Sequence, residues 1–337
     1  MTIRFKLFAR LLISCLLAFE IQPVLSQYDS DEKKAKFYLE LCKKYSPDAF
    51  EILNSDTARS FTRYAANGTT PLELLSDINT VVHETCHGYN WILGTVDGWN
   101  HDGLFVSTKC KIACKKGSFF KSSVLNGVVP IEQQQKIFRY KTYVSGESNN
   151  SSTLQGVYGF VDEFAAYFHG SKIDLELLPY YETLCPYSDA QCWVRKYLSN
   201  VESTLYAYYE FRLFIAWYLI YAEQHEKKTF DELISNQNLR LAFTLLEVEF
   251  KKLIDNYFST RQKVVEKMTN AGIKIKIDSE YISIVEGNSS SGNGIPDDDI
   301  AYLKTLYTTK ENSMLERFRV KGATLVNFKS FMTKSAK

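Results

Sequence analysis

The chain lacks an excess of charge of either sign. Its 337 residues carry 40 basic and 39 acidic side chains, which leaves a formal net charge of +1. Nucleic acids and anionic membrane surfaces attract proteins with a large basic excess. The charge balance therefore gives no reason to expect either of them as a partner.

An uncharged apolar run long enough to span a membrane is also lacking in the body of the chain. The stretch Ser203–Ala222 is apolar enough to raise a membrane span as an alternative, but it contains Glu210 and Arg212 near its middle. Each of these charges costs about 2.5–3.5 kcal/mol at the centre of a bilayer. The stretch therefore predicts a buried core helix, and we expect no stable membrane span.

Hydrophobic residues, by contrast, are abundant. They make up 45% of the chain, and aromatic residues make up 14%. This composition supports a packed core and excludes global disorder. At this length the core belongs to one large domain or to two modest ones.

The first 26 residues have the pattern of a secretory signal peptide. Arg4, Lys6 and Arg10 precede an apolar stretch, and small residues lie before Gln27. An alternative interpretation takes Cys15 as a lipid-attachment site. Removal of residues 1–26 changes the net charge from +1 to about −1, because Glu20 leaves with the three basic residues. We expect an exported protein, extracellular or periplasmic.

Six cysteines remain after residue 26, and an even number in an exported chain favours up to three disulfides. Cys86 is predicted to pair with Cys110 or Cys114; a thiolate metal ligand or a redox control of the site is the alternative. Cys185 and Cys192 could close a local loop. Cys110 and Cys114 lack the C-x₂-C spacing of a structural zinc site.

The periodicity of apolar residues predicts an α+β fold that is mainly helical. A small antiparallel β-subdomain is expected from β-branched and aromatic segments between glycines. A Ser/Gly/Asn linker then leads to a C-terminal appendage, so the predicted boundaries are 27–286 for the main domain and 287–337 for linker and appendage. The predicted helices cover Asp31–Tyr45, Pro47–Leu53, 71–87, 154–169, 188–224, 229–236 and 239–270, and the predicted strands cover Leu104–Ile112, Ser118–Val129 and Phe138–Val144.

The helix predicted over 71–87 has clear signals at both ends. Thr70 and Glu73 form a capping-box pair, and Pro71 occupies the first helical position. Gly88 is expected to end the helix.

Two of the five histidines fall in one short motif near the end of this helix. The segment His83–His87 reads H-E-T-C-H, which is the H-E-x-x-H signature of helical zinc hydrolases. Residues i and i+4 lie on one helix face, so both imidazoles can reach a single ion. Glu84, one step along from the first histidine, is placed to act as a general base toward water.

A catalytic zinc usually has three protein ligands, so the motif requires one more. The best candidate is Glu163, an acidic residue on an apolar predicted helix with the small residues Gly159 and Ala166 on its face. Small residues allow two helices to approach closely. Asp162 is the second candidate, or an acceptor that orients an imidazole. Glu210 is the third; its alternative role is an ion pair with Arg212 or Arg195.

Together these two segments resemble the gluzincin group of zinc metallopeptidases, of which thermolysin is the best-known member. The resemblance implies a zincin-like active-site helix, Zn²⁺ as cofactor and a peptide or protein as substrate. It also implies His83, His87 and Glu163 as ligands, with Glu84 as the catalytic residue. The similarity is confined to these segments and leaves a closer family open.

An oxyanion develops during peptide hydrolysis, so a hydrogen-bond donor is expected beside the metal. Tyr158, Tyr167 and His169 are the candidates nearest in sequence to Glu163, with core packing as the alternative role of each. Two rival hypotheses are a catalytically inactive secreted protein that keeps the zinc site, and a helical interaction protein that binds no metal. The sequence predicts neither substrate preference nor oligomeric state.

Overall fold

The computed structural model describes residues 28–65, 68–95, 100–278, 281–286, 289–294 and 297–330. These residues are mainly helical with two small antiparallel sheets, which confirms the mainly helical α+β class. The predicted signal peptide, with Cys15, lies outside them. The α-helices are α1 (Asp31–Tyr45), α2 (Pro47–Ser55), α3 (Pro71–Thr95), α4 (Ile131–Lys136), α5 (Tyr140–Tyr143), α6 (Ser151–Gln155), α7 (Val157–Glu176), α8 (Leu178–Leu184), α9 (Ser199–Leu205), α10 (Ala207–His225), α11 (Lys227–Ser235), α12 (Gln237–Asn270), α13 (Asp297–Thr305) and α14 (Thr309–Phe318).

The first sheet is a single hairpin of β1 (His101–Ser107) and β2 (Cys110–Lys115). The second sheet has the order β3-β4-β5, formed by Ile275–Asp278, Tyr281–Glu286 and Ser289–Gly294. The last of these strands lies in the predicted Ser/Gly/Asn linker, where backbone pairing with β4 organises a segment that its composition alone describes as flexible.

Two of the predicted strands are wrong. Ser118–Val129 contains a 3₁₀-helix at Ser122–Gly127, and Phe138–Val144 contains α5. Their β-branched and aromatic residues serve the helical core instead: the Tyr140 ring packs edge-on against Phe214 of α10. Tertiary packing has here overridden local β-propensity.

Helix α3, the motif helix, begins as predicted but extends two turns further. The Thr70 amide donates to Glu73 Oε2 (3.0 Å), which is half of the capping box. Gly88 does not end the helix, which continues to Thr95. The reason is that the helix packs closely on β1 at Gly94. If Gly94 carried a Cβ atom, that atom would lie only 2.8 Å from the backbone nitrogen of Gly103, so the two backbones are in close contact. The hairpin thus packs on the added turns.

Helix α7 crosses the motif helix at similarly short range. It is buried along most of its length. At Gly170, an added Cβ atom would lie 2.7 Å from the side-chain oxygen of Asn79 on α3. The sequence prediction named Gly159 and Ala166, whereas this close approach is at Gly170, one turn beyond Ala166.

The chain after α7 surrounds this helix pair. Helices α10 and α12 carry fully buried Phe and Leu side chains, and α14 packs against α12 through a Phe243–Phe318 ring contact. A disulfide joins Cys185 and Cys192, as predicted. Within the described ranges, no helix has both the length and the apolar character needed to cross a bilayer.

Candidate metal centre

Three side chains from the two crossing helices converge on one point. His83 and His87 extend from α3, and Glu163 extends from α7. The two imidazole Nε2 atoms are 3.2 Å apart, and Glu163 Oε2 lies 3.6 Å from the first and 3.4 Å from the second. The structure therefore brings together the predicted ligand set of two histidines and one glutamate.

These separations suit a tetrahedral cation. Two ligand atoms that are each about 2.0–2.1 Å from a tetrahedral zinc lie about 3.3–3.4 Å apart. The three observed separations lie around this value. Glu163 Oε2 is also fully buried and makes no hydrogen bond with any described residue. Buried charged groups normally have hydrogen-bond partners, so a cation would satisfy this oxygen, whose neighbours here are the two imidazoles.

The electrostatics of the three groups reflect their proximity. Burial opposes the charge on Glu163, but the two imidazoles outweigh burial and lower the pKa of this carboxyl to about 2. Burial likewise disfavours a charged His87, yet the Asp162 and Glu163 carboxylates raise the pKa of His87 well above its ordinary value. The site is therefore built to hold positive charge, supplied by a proton or a metal ion.

Asp162 contacts one of the proposed ligands and is not itself a member of the three-donor cluster. Its Oδ2 atom lies 2.6 Å from His87 Nδ1, and its Oδ1 atom accepts a hydrogen bond from Asn90 Nδ2 (2.7 Å). An imidazole that donates through Nδ1 presents Nε2 with its lone pair to a metal. This is the orienting role that the sequence left as the alternative for Asp162.

Asn90 links this pair to the hairpin, and sequence reasoning missed it. Its Oδ1 atom accepts the backbone N–H of Phe105 on β1 (2.8 Å), while its Nδ2 atom donates to Asp162. The signal was available, because Asn90 lies three residues after His87 on a helix. The predicted end of the helix at Gly88 places Asn90 outside it, so the sequence prediction does not include Asn90.

The motif's glutamate lies on the more open side of α3. Glu84 is half-buried, and His87 has 23% of its side chain exposed, against 9% for His83 and 5% for Glu163. Solvent thus reaches the three-donor cluster from the side of His87 and Glu84.

Of the three predicted transition-state donors, only Tyr167 lies beside a proposed ligand. Its ring packs edge-on against His83, with centroids 4.5 Å apart, and its hydroxyl pairs with that of Tyr143 at 2.9 Å. The Arg139 guanidinium lies over the same ring, 4.5 Å from the centroid. The sequence predicts a strand over the segment that contains Arg139 and Tyr143, so it does not place these two residues beside Tyr167.

The other two predicted donors point elsewhere. The Tyr158 hydroxyl accepts the backbone N–H of Gly117 at 2.7 Å. His169 Nε2 lies 3.0 Å from the carbonyl oxygen of Phe105, and its ring is buried. Both have the core-packing role that was the alternative for each.

Glu210 also has a structural partner, but a different one from that expected. It forms a buried ion pair with Arg139 (2.6 Å), whereas Arg212 pairs with Glu247 (2.5 Å). The expected partners Arg212 and Arg195 were chosen from nearby positions in the sequence. The actual partner comes from a segment 71 residues away.

The predicted disulfide of Cys86 is wrong. Among the described cysteines, Cys86, Cys110 and Cys114 are free and buried. The Cys86 thiol lies in the interior near Asp162 and Glu163, and burial followed by these charges raises its pKa well above the ordinary value. The brace between helix and hairpin is instead the close packing of Gly94 on Gly103 and the hydrogen bonds of Asn90.

Asp174 forms a second contact between the two crossing helices. Its Oδ2 atom accepts a hydrogen bond from Asn79 Nδ2 on α3 (2.6 Å), one turn before His83. Burial raises the pKa of Asp174 to about 7. A carboxyl group with this pKa takes up a proton near neutral pH, so we expect the joint between the two crossing helices to respond to pH.

Asp174→Asn is expected to remove part of the pH dependence of stability. Because the folded pKa exceeds the unfolded value of about 3.9, the folded state binds more protons between pH 4 and 7. The Asp174 contribution to the free energy of unfolding therefore falls as pH rises through that window, by an amount of the order of 4 kcal/mol. Urea unfolding at pH 4.5, 6 and 8 measures it, with Asp255→Asn on exposed α12 surface as control. Parallel pH profiles for wild type and Asp174→Asn would contradict this assignment.

Comparisons of the chain with family models, with curated proteins and with solved structures find no match.

Proposed function

We propose that this chain is an exported zinc-dependent metallopeptidase of the gluzincin type. The observation that carries the proposal is the convergence of His83, His87 and Glu163 at separations that suit tetrahedral zinc. Three protein ligands leave one position for water or substrate, as in catalytic zinc sites, whereas structural sites usually have four. Such a site, with a glutamate between its histidines, belongs to the chemistry of metal-assisted hydrolysis.

Zinc, when bound, supplies a Lewis acid that polarises a carbonyl group and makes water more acidic. Glu84 accepts the proton of the attacking water and delivers it to the amine that leaves when the peptide bond breaks. Asp162 holds His87 in the tautomer that presents Nε2 to the metal. Tyr167 is the proposed donor to the oxyanion, because it alone among the predicted donors contacts a ligand side chain.

Two further features support export. The disulfide between Cys185 and Cys192 is typical of an oxidising compartment. Residues 1–26 have the composition of a signal peptide. The proposed substrate is therefore a peptide or protein outside the cytosol.

Removal of metal tests the function directly. Treatment of the purified protein with 1,10-phenanthroline is expected to abolish cleavage of a broad peptide library, and stoichiometric zinc is expected to restore it. Far-UV circular dichroism serves as the control, since the apolar packing of α3 and α7 should keep the helices folded without metal. Cleavage that continues unchanged after zinc has been removed, as measured by elemental analysis, rules out the proposal.

A further inference from the structure

The solvent-facing stripe of the motif helix continues past the motif onto an apolar surface. Glu84, His87, Gly88, Trp91 and Ile92 follow the i, i+3, i+4, i+7, i+8 spacing of a single helix face. The first two are half-buried, and the last two are unusually exposed: 60% of Trp91 and 40% of Ile92. The candidate centre and this exposed pair thus share one continuous face.

Gly88 lies between the candidate centre and the exposed pair, and it has no side chain to separate them. An added Cβ atom at this position would meet no other atom within 4 Å. A side chain in a helix leans toward the N-terminus, so Trp91 covers surface over the preceding turn, next to Gly88. The missing side chain at Gly88 leaves space beside the indole, adjacent to His87.

The opposite direction along the same stripe is polar. Thr80, one turn before Glu84, is exposed, and Glu73 near the helix start is also exposed. Along this helix face, the exposed apolar side chains of Trp91 and Ile92 thus lie toward the C-terminus, and the exposed residues toward the N-terminus are polar. A peptide that lies along this face would therefore contact polar residues on one side of Glu84 and apolar residues on the other.

We propose that Trp91 and Ile92 bind a bulky apolar side chain of the peptide substrate, about three residues from the bond that is cleaved. The helix rises about 1.5 Å per residue and its side chains all lean the same way, so Trp91 lies about 9 Å along the axis from the midpoint of His83 and His87. An extended peptide advances about 3.3 Å per residue, which gives the offset of about three residues. This inference rests on the proposed peptidase function and adds a substrate preference to it.

The size of the surface favours a peptide side chain over a second copy of the chain. A stable protein–protein interface buries about 800 Å² per partner, from some 20–30 residues. The exposed apolar pair on this face consists of two residues, Trp91 and Ile92, which matches one or two peptide side chains better than an interface of that size. Enrichment of tryptophan in the centres of binding surfaces is consistent with this use.

The first test compares cleavage of matched decapeptide pools in which one position is fixed as Leu, Phe or Ser, with the cleaved bond identified by mass spectrometry. Trp91→Ala is expected to lower kcat/KM about tenfold for pools with Leu or Phe about three residues from the cleaved bond, and less than twofold for the Ser pool. Zinc content should be unchanged. Phe258→Ala is the matched control, because it alters another exposed aromatic side chain, on α12, which is 40% exposed. It should leave the preference intact.

The second test measures binding without cleavage. Zinc-loaded Glu84→Gln protein is titrated with fluorescein-labelled Leu and Ser decapeptides, with and without Trp91→Ala, and anisotropy is recorded. Tighter binding of the Leu peptide that is lost with Trp91→Ala supports the inference, even if the wild type cleaves nothing and the peptidase proposal fails. An apolar preference that survives Trp91→Ala, or no preference for Leu over Ser, overturns the inference and leaves the peptidase proposal intact.

Discussion

Glu84→Gln is expected to lower peptide hydrolysis by a factor of about 10²–10⁴ while zinc content stays near that of the wild type. The substitution keeps the size and shape of the side chain but removes its ability to accept a proton. Glu84 lies between the two histidines on α3 and is not a member of the three-donor cluster, so the metal site should remain intact. Initial rates on a peptide library and elemental analysis of the same samples measure both quantities.

The matched control for this experiment is Glu40→Gln, which changes an exposed glutamate on α1. It should have the activity and zinc content of the wild type. Full activity in Glu84→Gln would remove the proposed mechanism. If instead the wild type and Glu84→Gln both hold zinc and neither cleaves any peptide, the second hypothesis, an inactive zinc-site binding protein, is favoured.

Glu163→Ala is expected to lose zinc. This substitution removes one of the three proposed ligand atoms and leaves two imidazole nitrogen atoms 3.2 Å apart without the Glu163 carboxylate beside them. Removal of a partner that only orients a ligand costs about 10–100-fold in metal affinity. The loss for Glu163→Ala should exceed that range. Competition titration against a chelating dye of known zinc affinity gives the dissociation constants.

Asp162→Asn provides a graded comparison for the same titration. Its amide oxygen can still accept from His87 Nδ1, but without full charge, so we expect a 10–100-fold weaker affinity and a stoichiometry of about one. The order wild type, Asp162→Asn, Glu163→Ala distinguishes ligand from orienting residue. Equal affinities for Glu163→Ala and wild type would place the third ligand elsewhere and end the gluzincin-like assignment.

Local signals in the sequence predicted local structure well. The spacing of His83 and His87 requires only the geometry of a helix, and the capping residues Thr70 and Glu73 act within one turn. Helices α11 and α12 were predicted to within about two residues of their observed ends. The disulfide of Cys185 and Cys192 closes a short loop, so its partners were also near neighbours.

The errors arise where a distant segment decides the local conformation. Gly88 has weak helix propensity, but the packing of Gly94 on the hairpin keeps the helix continuous through it. Arg139 lies in a segment with strand-like composition. Its ion pair with Glu210 on α10 helps to stabilise the helical conformation of that segment. No window of neighbouring residues contains either contact.

The sequence by itself determined the motif: two histidines on one helix face, a glutamate between them, and an apolar face that buries the helix. It also identified Glu163 as the best third ligand. Only the tertiary structure decided that Glu163 approaches both histidines, that Asp162 orients His87, and that Tyr167 rather than Tyr158 or His169 lies at the site. Helical spacing is set by covalent geometry and backbone hydrogen bonds within a few residues, whereas the meeting of α3 with α7 depends on how the whole core packs.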